Sequence, residues 1–73
     1  MNQTFKNCKI TATRHQYVLI INDSSMKYEI FNMDNHKLVF SDSDELVCLS
    51  LMFRFTGNEE VDYNLLKING RSL

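Results

Sequence analysis

Two histidines, two cysteines and a scatter of carboxylates are the side chains of this 73-residue sequence that could do chemistry, and their spacing argues against most of it. His15 and His36 each stand alone among turn-forming residues. Neither has a serine or cysteine beside it in a strand-turn-helix setting that would pair a nucleophile with a base. Both are expected as solvent-exposed turn residues. Cys8 and Cys48 lie far apart, with no Cys-x-x-Cys spacing and no further cysteines or histidines to complete a zinc site. They read as small core residues in a reducing compartment, with one disulfide between them as the alternative.

Asp42-Ser43-Asp44-Glu45 is acidic enough to suggest calcium. It lacks the alternating ligands, the central glycine and the distant glutamate of an EF-hand loop. The same residues suit the start of a helix. Glu59-Glu60, next to Gly57-Asn58, reads as an open loop, whereas acid and base chemistry needs a carboxyl shifted by its cleft. Gly57 and Gly70 are the only glycines, too isolated to cradle a phosphate. No catalytic residue, cofactor or metal ligand is expected, and the chain reads as non-enzymatic.

Charge is uneven. Residues 41–62 hold Asp42, Asp44, Glu45, Glu59, Glu60 and Asp62 against Arg54 alone, a balance of −5, while the segments on either side carry +2 each. Such acidic ends can steer a protein to a basic partner. The basic residues Lys6, Lys9, Arg14, Lys27 and Lys37 are diluted by acids and match no RNP-type motif. Nucleic-acid binding is therefore only the runner-up reading, beside a structural subunit of a larger assembly.

The elements that must position these residues centre on Leu46 to Phe55, where Ser50 and Arg54 are the only polar side chains. Ser41 or Ser43 could cap a helix, Asp44 and Glu45 favour the positive end of its dipole, Arg54 suits the last turn and Gly57 can terminate it. A strand is the competing reading, because Val47, Leu49, Leu51, Phe53 and Phe55 alternate with the intervening residues. Punctuation at both ends favours a helix over 44–56. Leu46, Leu49, Met52 and Phe53 would then pack on a sheet, leaving Val47, Leu51 and Phe55 either to burial under a neighbouring loop or the C-terminal segment or to a homo-oligomer or protein partner.

Before Ser41, short apolar runs alternate between clusters of Asn, Asp and Ser, as in a meander of strands. The first strand covers roughly 5–13 with Cys8, Ile10 and Ala12 inward. Tyr17 to Ile21 is a continuous apolar run, expected of a strand covered on both faces. Met26, Tyr28 and Ile30 alternate next, and a hairpin at Asp34-Asn35 leads to Leu38-Val39-Phe40. After the helix, Val61, Tyr63 and Leu65 predict a last strand to about Ile68, and residues after Asn69 are expected to fray. Internal repeats and proline-rich linkers are absent, so residues 1–73 read as one domain.

The fold expected is α+β, a small antiparallel sheet in the order β-β-β-β-α-β with one helix on a face; an all-β six-stranded barrel or sandwich is the alternative. No apolar run is long enough to span a membrane, and Met1 to Asn7 is polar rather than a secretion signal, so the protein is expected to be soluble and cytoplasmic. The functional expectation is docking: Val47, Leu51 and Phe55 supply contact, and the acidic residues face a partner. Small proteins that block or adjust a target in this way are common among phage and mobile-element accessory proteins, including inhibitors of host defence.

Overall fold

A computed structural model describes residues 8–69, with side chains described to residue 67. The expected residues 5–7 of the first strand and the fraying expected after Asn69 lie outside that range. Four strands, β1 (Cys8–Arg14), β2 (Tyr17–Asn22), β3 (Lys27–Asn32) and β4 (Lys37–Asp42), are followed by helices α1 (Glu45–Met52) and α2 (Glu59–Asn69). The strands form one antiparallel sheet in sequence order, so β2 and β3 are its interior strands. The class is α+β.

The hairpins rest on a ten-residue geometric period that residue identities conceal. Asn22, Asn32 and Asp42 end β2, β3 and β4, and the Oδ1 of each accepts the backbone N–H two residues on, from Ser24 (2.9 Å), Asp34 (2.9 Å) and Asp44 (2.8 Å). A short carbonyl or carboxylate side chain is suited to this turn, because it can bond to its own backbone just downstream. The two four-residue loops then close on Met26 and His36, with φ of 59° and 58°. His15 has φ of 55° in the two-residue turn between β1 and β2, and both histidines are exposed, as expected of turn residues.

Alternation along β2 aims Tyr17 and Leu19 at the helices, where they join Ile30, Phe40, Cys48, Leu51, Met52 and Phe55 in one buried cluster. Val18 and Ile20 point to the opposite face and are also buried, flanked across the strands by Thr13 and Phe31 and by Ile10 and Glu29. Coverage on both faces, expected from the apolar run, is what β2 has. The inward placement of Ile10 does not hold: it is 59% exposed. A bulge between Ile10 and Ala12 sets Ala12 opposite core-facing Leu19 but Ile10 opposite Ile20, and one inserted residue reverses the phase. Cys8 falls with Ile10 and is half-buried, while Cys48 is buried; no disulfide joins them.

The last expected strand is a helix. Asn58 caps α2, its Oδ1 accepting from Val61 N–H, and Glu59, Glu60 and Asp62 stand in the first turn, where the dipole favours carboxylates. Tyr63, Leu65 and Leu66 bring α2 to the buried cluster, whereas Val61, which strand alternation turned inward, is exposed. The order is therefore β-β-β-β-α-α, and the all-β alternative falls with the same observation.

Helix α1 has the expected place but a different cap, length and rotation. Asp44 rather than Ser41 or Ser43 is the N-cap, its Oδ1 accepting from Leu46 N–H at 2.9 Å. The helix stops at Met52, and Arg54 N–H and Phe55 N–H bond back to Leu51 and Met52 carbonyls in a tightened turn. That turn delivers Phe55 to the core, where its ring lies 4.4 Å from that of Tyr17, tilted by 43°. Leu51 and Phe55, left over for either a partner or cover by the chain's own later segments, are thus core residues, and of the two outcomes the partner role does not hold for them. Leu46 and Phe53, expected against the sheet, point outward.

Two phenylalanines two residues apart should consequently behave very differently. Phe55→Ala is expected to cost about 3–5 kcal/mol in urea unfolding, and Phe53→Ala roughly 0.5 kcal/mol or less, as for other exposed positions. Equal losses would mean that α1 is rotated otherwise.

Candidate functional site

Rotating α1 so that Cys48, Leu51 and Met52 face the sheet leaves an outer face of Leu46, Val47, Ser50, Phe53 and Arg54. Leu46 is 70% exposed, Phe53 73% and Val47 42%. A groove of about 360 Å³ runs between this face and β4, lined by Phe40, Leu46, Val47, Ser50, Leu51 and Arg54. On the other flank, Ala12 to Arg14 of edge strand β1 and Leu49, Met52 and Phe53 of the helix segment enclose a smaller depression of about 170 Å³. Arg14 closes that side. Its Nε donates to Phe55 O at 3.3 Å, and its guanidinium carbon lies 5.8 Å from the centre of the Phe53 ring.

Of the three apolar residues expected at an interface, only Val47 is exposed; Leu51 lines the groove but is itself buried, and Phe55 is in the core. The six expected acidic contact residues also part company. Asp42 and Asp44 organise the start of α1 by accepting backbone N–H groups, and Glu45 is half-buried in its first turn. Glu59 accepts from Asn32 Nδ2 at 2.7 Å, and Glu60 is exposed. Asp62 is fully buried, so it cannot face a partner.

Asp62 is instead an internal anchor. Its Oδ2 accepts from the Tyr17 hydroxyl at 2.8 Å and Gly57 N–H at 3.0 Å, and its Oδ1 from Thr56 N–H at 2.7 Å and the Thr56 hydroxyl at 3.1 Å. Gly57 reaches this geometry with φ of 96°, where a side chain would be strained. Burial alone would push the Asp62 carboxyl up; the bonds from Thr56, Tyr17 and Gly57 outweigh it and hold the carboxyl below its ordinary range. Burial first, and then the bond to Asp62, push the Tyr17 phenol up. Beside this pair, buried Asn32 donates to Glu59 and to the Tyr63 hydroxyl at 3.1 Å. Asn32 was hidden in the sequence as one more turn former.

These perturbed groups have structural causes and a full set of partners. No buried side-chain polar atom among the described residues lacks a hydrogen bond, and no three of their His, Cys, Asp or Glu residues come together to hold a metal. Burial, with Asp42 and Asp44 nearby, pushes the Cys48 thiol up to about 11, which disfavours the thiolate that a nucleophile needs. No described helix is long and apolar enough to cross a membrane. Comparison with known proteins adds no identity: no family model, curated protein or solved structure matches the chain. The outer face of α1 is the candidate site.

The anchor has a pH signature. Because the folded carboxyl of Asp62 titrates below its unfolded value, its stabilisation is complete at neutral pH. It begins to fail as pH drops through about 3.9, the ordinary aspartate value, and is gone below the folded one. Asp62→Asn is expected to cost about 3 kcal/mol at neutral pH and Tyr17→Phe about 1 kcal/mol. In urea titrations, the Asn variant should also lose less stability on acidification than the parent. Parallel acid limbs would show that Asp62 is not the anchor.

Proposed function

We propose that this protein is a non-enzymatic docking module that binds another protein surface through the outer face of α1. The observation that carries this reading is the exposure of Leu46, Val47 and Phe53 along one side of a short helix, beside an apolar groove. Scattered exposed leucines need no explanation, but large apolar side chains clustered at a concavity are what interfaces bury. The rim suits the same use. Arg54 and Arg14 at one end and Asp44 and Glu45 at the other can set orientation, while the apolar centre supplies affinity.

Action follows by occlusion. A surface without a nucleophile, acid-base pair or cofactor cradle can change a partner by covering part of it. The acidic steering expected from composition is narrower here, because Asp62 is internal and Glu59 is engaged with Asn32. What is left acidic beside α1 is its N-terminal end.

A photo-crosslinking amino acid placed at Leu46 or Phe53 should form adducts with a bound protein, while one at exposed Lys27 should not. Excess unlabelled protein should suppress the adducts, and excess Leu46→Glu protein should not. Equal labelling from Lys27, or equal competition by both proteins, would contradict this assignment.

A further inference from the structure

The outer face of α1 lies between two ends of opposite charge. Asp42, Asp44 and Glu45 stand at its N-terminal end, and Arg54 and the Arg14 guanidinium beside Phe53 at its C-terminal end. Between them lie Leu46, Val47, Ser50 and Phe53, and the middle residue, Ser50, is small and exposed. At 1.5 Å per residue, Glu45 lies about 7.5 Å before Ser50 along α1, and Arg54 stands four residues after Ser50 in the tightened turn beyond Met52. The charged ends thus lie on opposite sides of the centre.

Such a strip is complementary to its own reversed image. A second α1 laid antiparallel across the first, with Ser50 at the crossing, puts Leu46 of each copy beside Phe53 of the other. The same placement sets each acidic end against a basic end. A parallel pair would instead stack acid on acid and base on base. Small side chains at a crossing let helix axes approach closely, and a two-fold axis requires one patch to serve both copies.

We propose that the outer face of α1 binds a second copy of this chain in an antiparallel pair centred on Ser50. This rests on the reading of that face as the docking surface and names its occupant. Two-fold symmetry makes every charge contact occur twice, so a single charge reversal creates two repulsions. Reversing both ends restores two attractions.

Sedimentation velocity over a concentration series of the full chain tests this directly. The parent should dimerise, and Glu45→Arg alone or Arg54→Glu alone should weaken the dimer about tenfold. Combining both changes in one chain, or mixing the two single variants, should recover the parent affinity to within about threefold. Ser50→Trp, at an exposed site, should give a monomer with unchanged circular dichroism. A monomer up to about 1 mM, a dimer indifferent to these charges, or single variants that fail to recover on mixing would overturn the pairing. If the chain is monomeric but Leu46 and Phe53 still crosslink to a different protein, self-pairing fails and the docking reading stands. Absence of those adducts as well removes both.

Discussion

The Asp62 carboxylate is the contact from which the arrangement of both helices follows. Moving an ionised carboxyl out of water carries a penalty of several kcal/mol, which is tolerable only when its oxygens are fully bonded. Its donors belong to separated parts of the chain: Tyr17 in β2 and the Thr56-Gly57 connection. These parts must be in place together for the bonds to form. Since Phe55 immediately precedes Thr56, the same closure seats Phe55 on Tyr17 and ends α1 at Met52. Cys48, Leu51 and Met52 then face inward, and Leu46, Val47 and Phe53 have no place but outside. The exposed apolar strip is a consequence of a buried polar anchor.

Asn32 extends this coupling to the hairpins. Its carbonyl oxygen accepts from Asp34 N–H and shapes the β3–β4 turn, while its amide nitrogen donates to Glu59 and Tyr63 of α2. Asn32 lies directly opposite Tyr17 in the sheet, so the two contacts to α2 leave from neighbouring positions on adjacent strands. Gln16 adds a third link, donating from Nε2 to Gly57 O at 3.0 Å. The sheet thus positions α2, and through Asp62 the connection and α1, from one end of β2 and β3.

The strands were legible because turn formers recur between apolar runs and β2 carries an uninterrupted one. The register of β1 was not, since nothing in Ile10-Thr11-Ala12 announces a bulge. Helix α2 was misread because Val61, Tyr63 and Leu65 alternate as a strand would. The cap at Asn58 and the acids after it, the same kind of signal used for α1, were the better guide. The rotation of α1 could not be read from periodicity, because a helix that is apolar nearly all round has almost no directional preference of its own. A tertiary contact outside it, Asp62 with Thr56 and Gly57, decides which side turns in. For that reason Leu51 and Phe55 changed places with Leu46 and Phe53, and Asp62 moved from an expected surface patch to the interior.

The anchored connection leaves a partly apolar helix face between ends of opposite charge, and that face is the proposed docking surface. The most direct measurement is a concentration series of amide NMR spectra of the uniformly labelled protein. Shifts that grow with concentration and are confined to Glu45 through Arg54 and the neighbouring Arg14 are the expected result. Unchanged spectra, or shifts centred on Ile10, Phe31 and Leu38 across the opposite face of the sheet, would contradict it.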